Sequence, residues 1–165
     1  MARILLTGAT GFIGSHMLGV LNGRGHEVVA ATRRAGPALR GPCRVAVIGD
    51  DWESADWAGA LEGVDFVVNC AGLAHQSGHA RDDAGIQWNI NSTGVGSLAR
   101  ASVGAGVRKI IHLSTVKVLG EFNDEGPWTR NSPCRPAGAY AQSKYRGEQL
   151  LREIAGGSAS RYWRM

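Results

Sequence analysis

Cysteine is scarce in this chain: Cys43, Cys70 and Cys134 are odd in number and show no C-x-x-C spacing. That excludes a disulfide framework and a cysteine zinc site, so no metal is expected and a reducing cytoplasm suits the chain. Long hydrophobic runs are also missing. The N-terminal Ile4-Leu5-Leu6 is far too short for a signal-peptide core or a membrane span. Nor is there a basic stripe. The 18 Lys and Arg against 14 Asp and Glu leave a net +4, and the positive residues are scattered, densest at Arg33-Arg34 and at Arg161 and Arg164. Such a balance suits anionic small molecules or a solvated surface and argues against nucleic acid as a partner. Repeats and low-complexity linkers are absent, and the 44% apolar and 19% charged content is that of a folding chain.

What the chain has in excess is glycine, 24 of 165 residues, about twice the usual ~7%. The length suits one hydrophobic core. Short apolar, β-branched runs at 3–7, 27–32, 44–48, 65–70 and 109–114 read as strands, and amphipathic stretches at 12–22, 54–61, 88–103 and 139–154 read as helices. The strands are continuously apolar, as strands buried on both faces of a parallel sheet must be. The expected fold class is therefore α/β, a doubly wound parallel sheet over residues 1–155, followed by an irregular tail at 156–165. Gly23, Gly25, Gly63, Gly104 and Gly106 fall at the joints, where helix stops favour positive φ. The longest irregular stretch, 121–138, carries Pro127, Pro133 and Pro136 and has the length of a functional loop.

The first strand runs into Thr7-Gly8-Ala9-Thr10-Gly11-Phe12-Ile13-Gly14 and then into the first helix. A tight turn, close approach of backbone to a pyrophosphate and close helix–strand packing each demand a glycine, and a helix N-terminus supplies free N–H groups. Gly8, Thr10, Gly11, Phe12, Ile13 and Gly14 are thus the candidate phosphate turn of a dinucleotide site. The spacing is G-x-x-G-x-x-G, and TGATGFIG resembles the extended short-chain dehydrogenase/reductases, in their NAD-dependent epimerase/dehydratase branch, over residues 3 to about 155. The resemblance implies a Rossmann fold.

The second strand ends Ala31-Thr32-Arg33-Arg34 with no acid to hold a ribose 2′-OH. Arg33 can pair with a 2′-phosphate, so the turn leans to NADP over NAD; a solvated basic turn is the alternative. By the resemblance, Asp50 with Asp51 after Gly49 meets the adenine edge, although Asp50 as a helix cap near Trp52 reads equally well. The small residues Cys70, Ala71 and Gly72 resemble the turn at the nicotinamide side, His75 reads as a loop residue that could also face substrate, and Asn91 resembles the Asn-x-x-Gly that touches the cofactor or orients backbone.

Tyr140 and Lys144 stand four apart on a predicted helix, hence one turn apart on one face. A phenol with its ordinary pKa of ~10 is a poor base at neutral pH, and a neighbouring ammonium with a positive nicotinamide favours the phenolate. The segment from His112 to Gly120 resembles the Ser-Ser/Thr-x-x-Val-x-Gly of the same branch and places Thr115 at its catalytic hydroxyl, with Ser114 beside it at the cofactor. The implied roles are Thr115 on the reacting hydroxyl or carbonyl, Tyr140 moving the proton, and Lys144 tuning Tyr140 and holding the nicotinamide ribose. Bonding of the two hydroxyls to backbone alone is the plainer alternative.

Extended members of the family continue into a further strand and a substrate lobe that residues 155–165 do not resemble, so the chain is expected to lack most of that region, as a shortened member. A sheet cut after five strands leaves an unpaired edge and predicts self-association. The resemblance implies 4-epimerisation of a UDP-sugar for surface polysaccharide synthesis, with a tightly bound nicotinamide cofactor. NADPH-dependent reduction of a 4-keto sugar and a catalytically weak nucleotide-binding module are the alternatives. The helices at 88–103 and 139–154 resemble the pair through which the family dimerises.

Overall fold

The computed structural model describes residues 1–36, 39, 41–74, 83–123, 126–129, 131–156 and 161–164. Strands β1 (Arg3–Thr7), β2 (Glu27–Thr32), β3 (Arg44–Val47), β4 (Phe66–Asn69), β5 (Lys109–His112) and β6 (Arg161–Arg164) form one sheet in the order β3-β2-β1-β4-β5-β6. Every neighbouring pair is parallel. The order reverses beside β1, which opens a crevice at the carboxyl ends of β1 and β4, where doubly wound sheets bind ligands.

Helices α1 (Phe12–Gly23), α2 (Ala58–Leu61), α3 (Asp83–Trp88), α4 (Gly94–Gly104) and α5 (Gly138–Ala155) cover the sheet. Alternation along the strands sorts side chains to the two faces. Leu5, Val29, Val67 and Ile110 pack on one face with Leu98 of α4, Leu151 of α5 and Trp57. Ile4, Leu6, Val28, Ala30 and Val68 pack on the other with Leu18 and Leu21 of α1. Leu5, Leu6 and Leu18 are completely buried, each worth roughly 1.5–3 kcal/mol of transfer free energy.

Four expectations differ from the structure. The tail is not irregular throughout: Arg161–Arg164 pairs with β5 in register Lys109↔Arg161 to His112↔Arg164. An uncovered β5 edge would leave a row of unpaired backbone groups, and the Tyr-Trp pair has the β preference to fill it. The 54–61 helix contracts to α2, because Asp51 and Asp56 accept the backbone N–H groups of Glu53 and Ala58 and make side-chain turns there instead. The helix expected at 88–103 is α3 and α4 joined by a π turn, Asn89–Thr93. Among the joint glycines, Gly25, Gly63 and Gly106 have positive φ, whereas Gly23 and Gly104 close α1 and α4 without it.

Candidate active site

The turn after β1 is held by the Gly11 N–H donating to the Gly8 carbonyl at 2.9 Å. Gly8 has φ +68°, and a Cβ on it would sit 2.8 Å from the Ala71 nitrogen. A Cβ on Gly14 would sit 2.1 Å from the Gly8 carbonyl oxygen, so α1 reaches the strand end only because that side chain is absent. Gly11 caps α1 with no side-chain bond to its first turn. The helix therefore presents unpaired N–H groups and its positive end, as an anionic ligand requires. Phe12 and Ile13 point outward and are exposed.

This turn forms one wall of a groove of about 490 Å³, with Thr10 and Gly11 on one side, Arg33 and Arg34 on another, and Cys70, Ala71 and Gly72 along the β4 end. Trp52, Leu73 and Ile90 also line it, and nothing in the spacing of the sequence pointed to them. Asp50 neither caps a helix nor stands free. Its carboxylate faces Arg33 at 3.9 Å and Arg34 at 3.4 Å, in exposed pairs worth little individually.

Asp51 is turned to local use. Its carboxylate accepts from Ser54 Oγ at 2.6 Å and Asn89 Nδ2 at 2.7 Å, and those two bonds hold it below the usual carboxylate range. Asn89 Oδ1 in turn accepts the Trp52 N–H at 2.9 Å, which fastens the segment after β3 to the π turn.

A row of polar side chains crosses the sheet at one register level. Thr7, Asn69 and His112 are cross-strand partners at the ends of β1, β4 and β5, and all are buried. The Ala71 N–H donates to Thr7 Oγ1 at 3.1 Å, and Thr7 donates to Asn69 Oδ1 at 2.5 Å. Asn69 Nδ2 lies 3.0 Å from His112 Nδ1. An amide NH₂ can only donate, so His112 accepts at Nδ1 and carries its proton on Nε2. Burial first, and the Lys144 charge second, push the His112 pKa down to about 3. The imidazole is neutral at physiological pH.

Asn91 lies at the centre of the π turn, completely buried. Its Oδ1 accepts the Leu73 N–H at 2.9 Å, while its Nδ2 donates to the Leu73 carbonyl at 2.9 Å and to Ser143 Oγ at 3.1 Å. Ser143 donates to the Tyr140 carbonyl at 2.8 Å. Asn91 thus orients backbone, one of the two roles expected of it, and ties the groove edge to the first turn of α5. The close approach requires Gly147, where a Cβ would fall 2.2 Å from the Asn91 carbonyl oxygen.

Tyr140 and Lys144 both lie on α5, as the spacing predicts. Lys144 is buried and donates from Nζ to the Leu113 carbonyl at 2.6 Å, which brings it to the end of β5. A Cβ on Gly72 would be 3.4 Å from the same Nζ, so Lys144 also borders the end of β4. Burial holds its pKa down at about 8, against the opposing pull of Glu148 and Cys70. The Cys70 thiol is pushed up to about 11 by burial, with the Lys144 charge offsetting part of the rise.

Thr115 caps the 3₁₀ turn Val116–Val118, and its hydroxyl accepts the Lys117 N–H at 3.4 Å. Ser114 donates its hydroxyl to Glu148 Oε1 rather than standing free. Glu148, fully buried one turn beyond Lys144, was not among the expected site residues. The signal was present in the i, i+4, i+8, i+12 row of Tyr140, Lys144, Glu148 and Arg152, which shares one helical face. His75 lies outside the described residues.

The NAD dependent epimerase/dehydratase family matches residues 4–163. A dTDP-4-dehydrorhamnose reductase of Mycobacterium tuberculosis is 31% identical over 155 residues, covering 90% of this chain and 45% of the relative. A UDP-glucose 4-epimerase of Vibrio cholerae is 30% identical over 155 residues, covering 92% and 47%. Among solved structures, MoeE5 in complex with UDP-glucose and NAD superposes with a TM-score of 0.81 at 28% identity, over 98% of this chain and 52% of that one. The chain spans about half the length of the curated relatives it matches.

Proposed function

This chain belongs to the NAD dependent epimerase/dehydratase family, and on that premise we propose that it serves nicotinamide-dependent 4-epimerisation of a UDP-sugar, a step that supplies surface polysaccharide synthesis. The observation that carries the reading is the bond from Lys144 Nζ to the Leu113 carbonyl, two residues before Thr115, with Tyr140 one turn earlier on the same helix. It supports the reading by bringing Lys144 to the end of β5, beside Gly72 of the groove wall.

The residues present fit a dinucleotide. The side-chain-free wall at Gly8 and Gly11, the uncapped start of α1 and the arginines after β2 suit a pyrophosphate and its flanking ribose. Bound there, a nicotinamide supplies a hydride acceptor and donor. In this reading Thr115 bonds the reacting sugar oxygen, Tyr140 takes and returns its proton, and Lys144 stabilises the phenolate and bonds the ribose. Cys70, Ala71 and Gly72 leave room for the ring against backbone.

Arg33 and Arg34 at the groove edge favour a second reading, in which NADPH is the better ligand and the reaction is reduction of a 4-keto sugar. The related reductase in M. tuberculosis is consistent with it. A catalytically weak nucleotide-binding module is the outcome if the cofactor binds without turnover. The low cysteine content and the lack of any C-x-x-C spacing suit a cytoplasmic setting, and α4 with α5 is the face on which a homodimer would form.

Calorimetric titration with NAD, NADH, NADP and NADPH separates these readings, and no binding tighter than millimolar to any of them would sink the site. Incubation with UDP-glucose, UDP-galactose and their N-acetyl forms is expected to yield the epimer, and Tyr140→Phe to abolish it. Full activity in that variant would remove Tyr140 as the base.

A further inference from the structure

The Tyr140 and Lys144 pair accounts for two buried or half-buried groups on α5 but leaves a third, Glu148, without a part in the chemistry. Its carboxylate is completely buried. Burying an ionised carboxylate is costly unless its oxygens are bonded and its charge is paired. Both conditions are met here: Oε1 accepts from Ser114 Oγ, and Oε2 faces the Arg152 guanidinium at 3.4 Å. These two contacts meet on a carboxylate one helical turn from Lys144.

The consequence is geometric. Consecutive residues at the end of β5 are held by residues one turn apart on α5: Leu113 by Lys144 through its carbonyl, and Ser114 by Glu148 through its hydroxyl. One bond would let the strand end swivel about the contact, whereas two fix its direction. The next residue is Thr115, and the residue one turn before Lys144 is Tyr140. We propose that Glu148 is a positioning residue of the site, which completes a two-point clamp between β5 and α5 that holds Thr115 and Tyr140 in register and supplies the counter-charge for Lys144.

The charged and titratable groups facing Lys144 are consistent with the second role. On α5 stand Glu148, with Arg152 behind it, and Tyr140 a turn earlier; from the β4 end comes the Cys70 thiol and from β5 the neutral His112. Glu148 is the carboxylate among the groups that raise the proton affinity of Lys144 against burial.

The inference rests on the reading of Tyr140 and Lys144 as the reacting pair, but its test needs neither cofactor nor substrate, so an inactive protein does not decide it. In the ligand-free chain, the Lys144 titration is followed by NMR of its side-chain ε-CH₂, and the exchange of the amides at 115–118 is followed in parallel. Glu148→Gln keeps an acceptor for Ser114 and removes the charge. It is expected to lower the proton affinity of Lys144 about tenfold, with amide exchange near that of the parent. Ser114→Ala keeps the charge and removes the bond, and is expected to speed exchange at 115–118 about tenfold with little change in the Lys144 midpoint. An unchanged Lys144 midpoint in Glu148→Gln overturns the counter-charge, and unchanged exchange in Ser114→Ala overturns the clamp. Should Glu148→Gln not fold, Glu148→Asp retains the charge on a shorter stem. It must then reproduce the faster exchange without the loss of proton affinity, and parent-like exchange would count against the proposal.

Discussion

The two ends of the groove are built by opposite means. Around Gly8, Gly11 and Gly14 the site is made of backbone, and what matters is the absence of side chains: a single methyl on Gly14 would stand 2.1 Å from a carbonyl oxygen. Around Lys144 it is made of side chains from β4, the π turn, β5 and α5, whose buried polar groups bond one another. The first kind of construction runs through a few adjacent residues and admits no side chain at Gly8 or Gly14. The second is assembled over separations of 31 residues from Leu113 to Lys144 and 52 from Asn91 to Ser143, and is sensitive to charge and protonation. One fold thus combines a rigid backbone turn after β1 with buried groups whose proton affinities are shifted at the ends of β4 and β5.

Breaking the backbone end has the largest expected effect. Gly14→Ala forces Cβ into the Gly8 carbonyl and is expected to cost about 3 kcal/mol or more, read as a lowered midpoint in urea unfolding, together with loss of dinucleotide binding. A parent-like midpoint would mean that the turn and α1 can part without penalty.

At the side-chain end the sharper probe is pH. His112 has a folded-state pKa of about 3 against an ordinary 6.5, so the unfolded chain takes up a proton between those values and the folded one does not. The stability it contributes is full above pH 6.5 and is lost as pH falls toward 3. Acidification from pH 7 to 4 therefore costs the parent about 3 kcal/mol through this residue. His112→Gln, which offers Asn69 a carbonyl oxygen, is expected to lose that much less over the same range in unfolding titrations. Equal acid sensitivity in the two proteins would place the histidine's role elsewhere.

The smallest effect belongs to the exposed rim. Asp50→Asn removes the partner of Arg33 and Arg34 and is expected to change stability by less than about 0.5 kcal/mol. With the arginines released, the preference for NADP over NAD should rise by about fivefold or less, and more weakly at high salt. A larger shift would show that the rim has the energetics of the interior.

The legibility of the two ends differs for the same physical reason. β1 and β2 match their expected bounds, and the glycine turn lies where the triplet predicted, because strand periodicity and positive φ are properties of a few adjacent residues. The Tyr140 and Lys144 pair was readable too, since a helix converts a spacing of four into a shared face. By contrast, the π turn at Asn89–Thr93 hides inside an apparently regular helical pattern, and the engagement of Asp51 with Asn89 spans 38 residues. The sixth strand escaped notice because Arg-Tyr-Trp-Arg is too short to announce itself without the open edge of β5 beside it.

What the sequence determined by itself is the alternation of strands and helices, the glycine turn and the family to which they belong, all of which depend on local sterics and short-range periodicity. Tertiary structure decided which polar groups are buried together. Glu148, Ser114, His112 and Asn69 carry no mark in the chain that assigns them to one another. Only packing that removes water obliges a hydroxyl to find a carboxylate, an amide to find an imidazole and an ammonium to find a strand-end carbonyl.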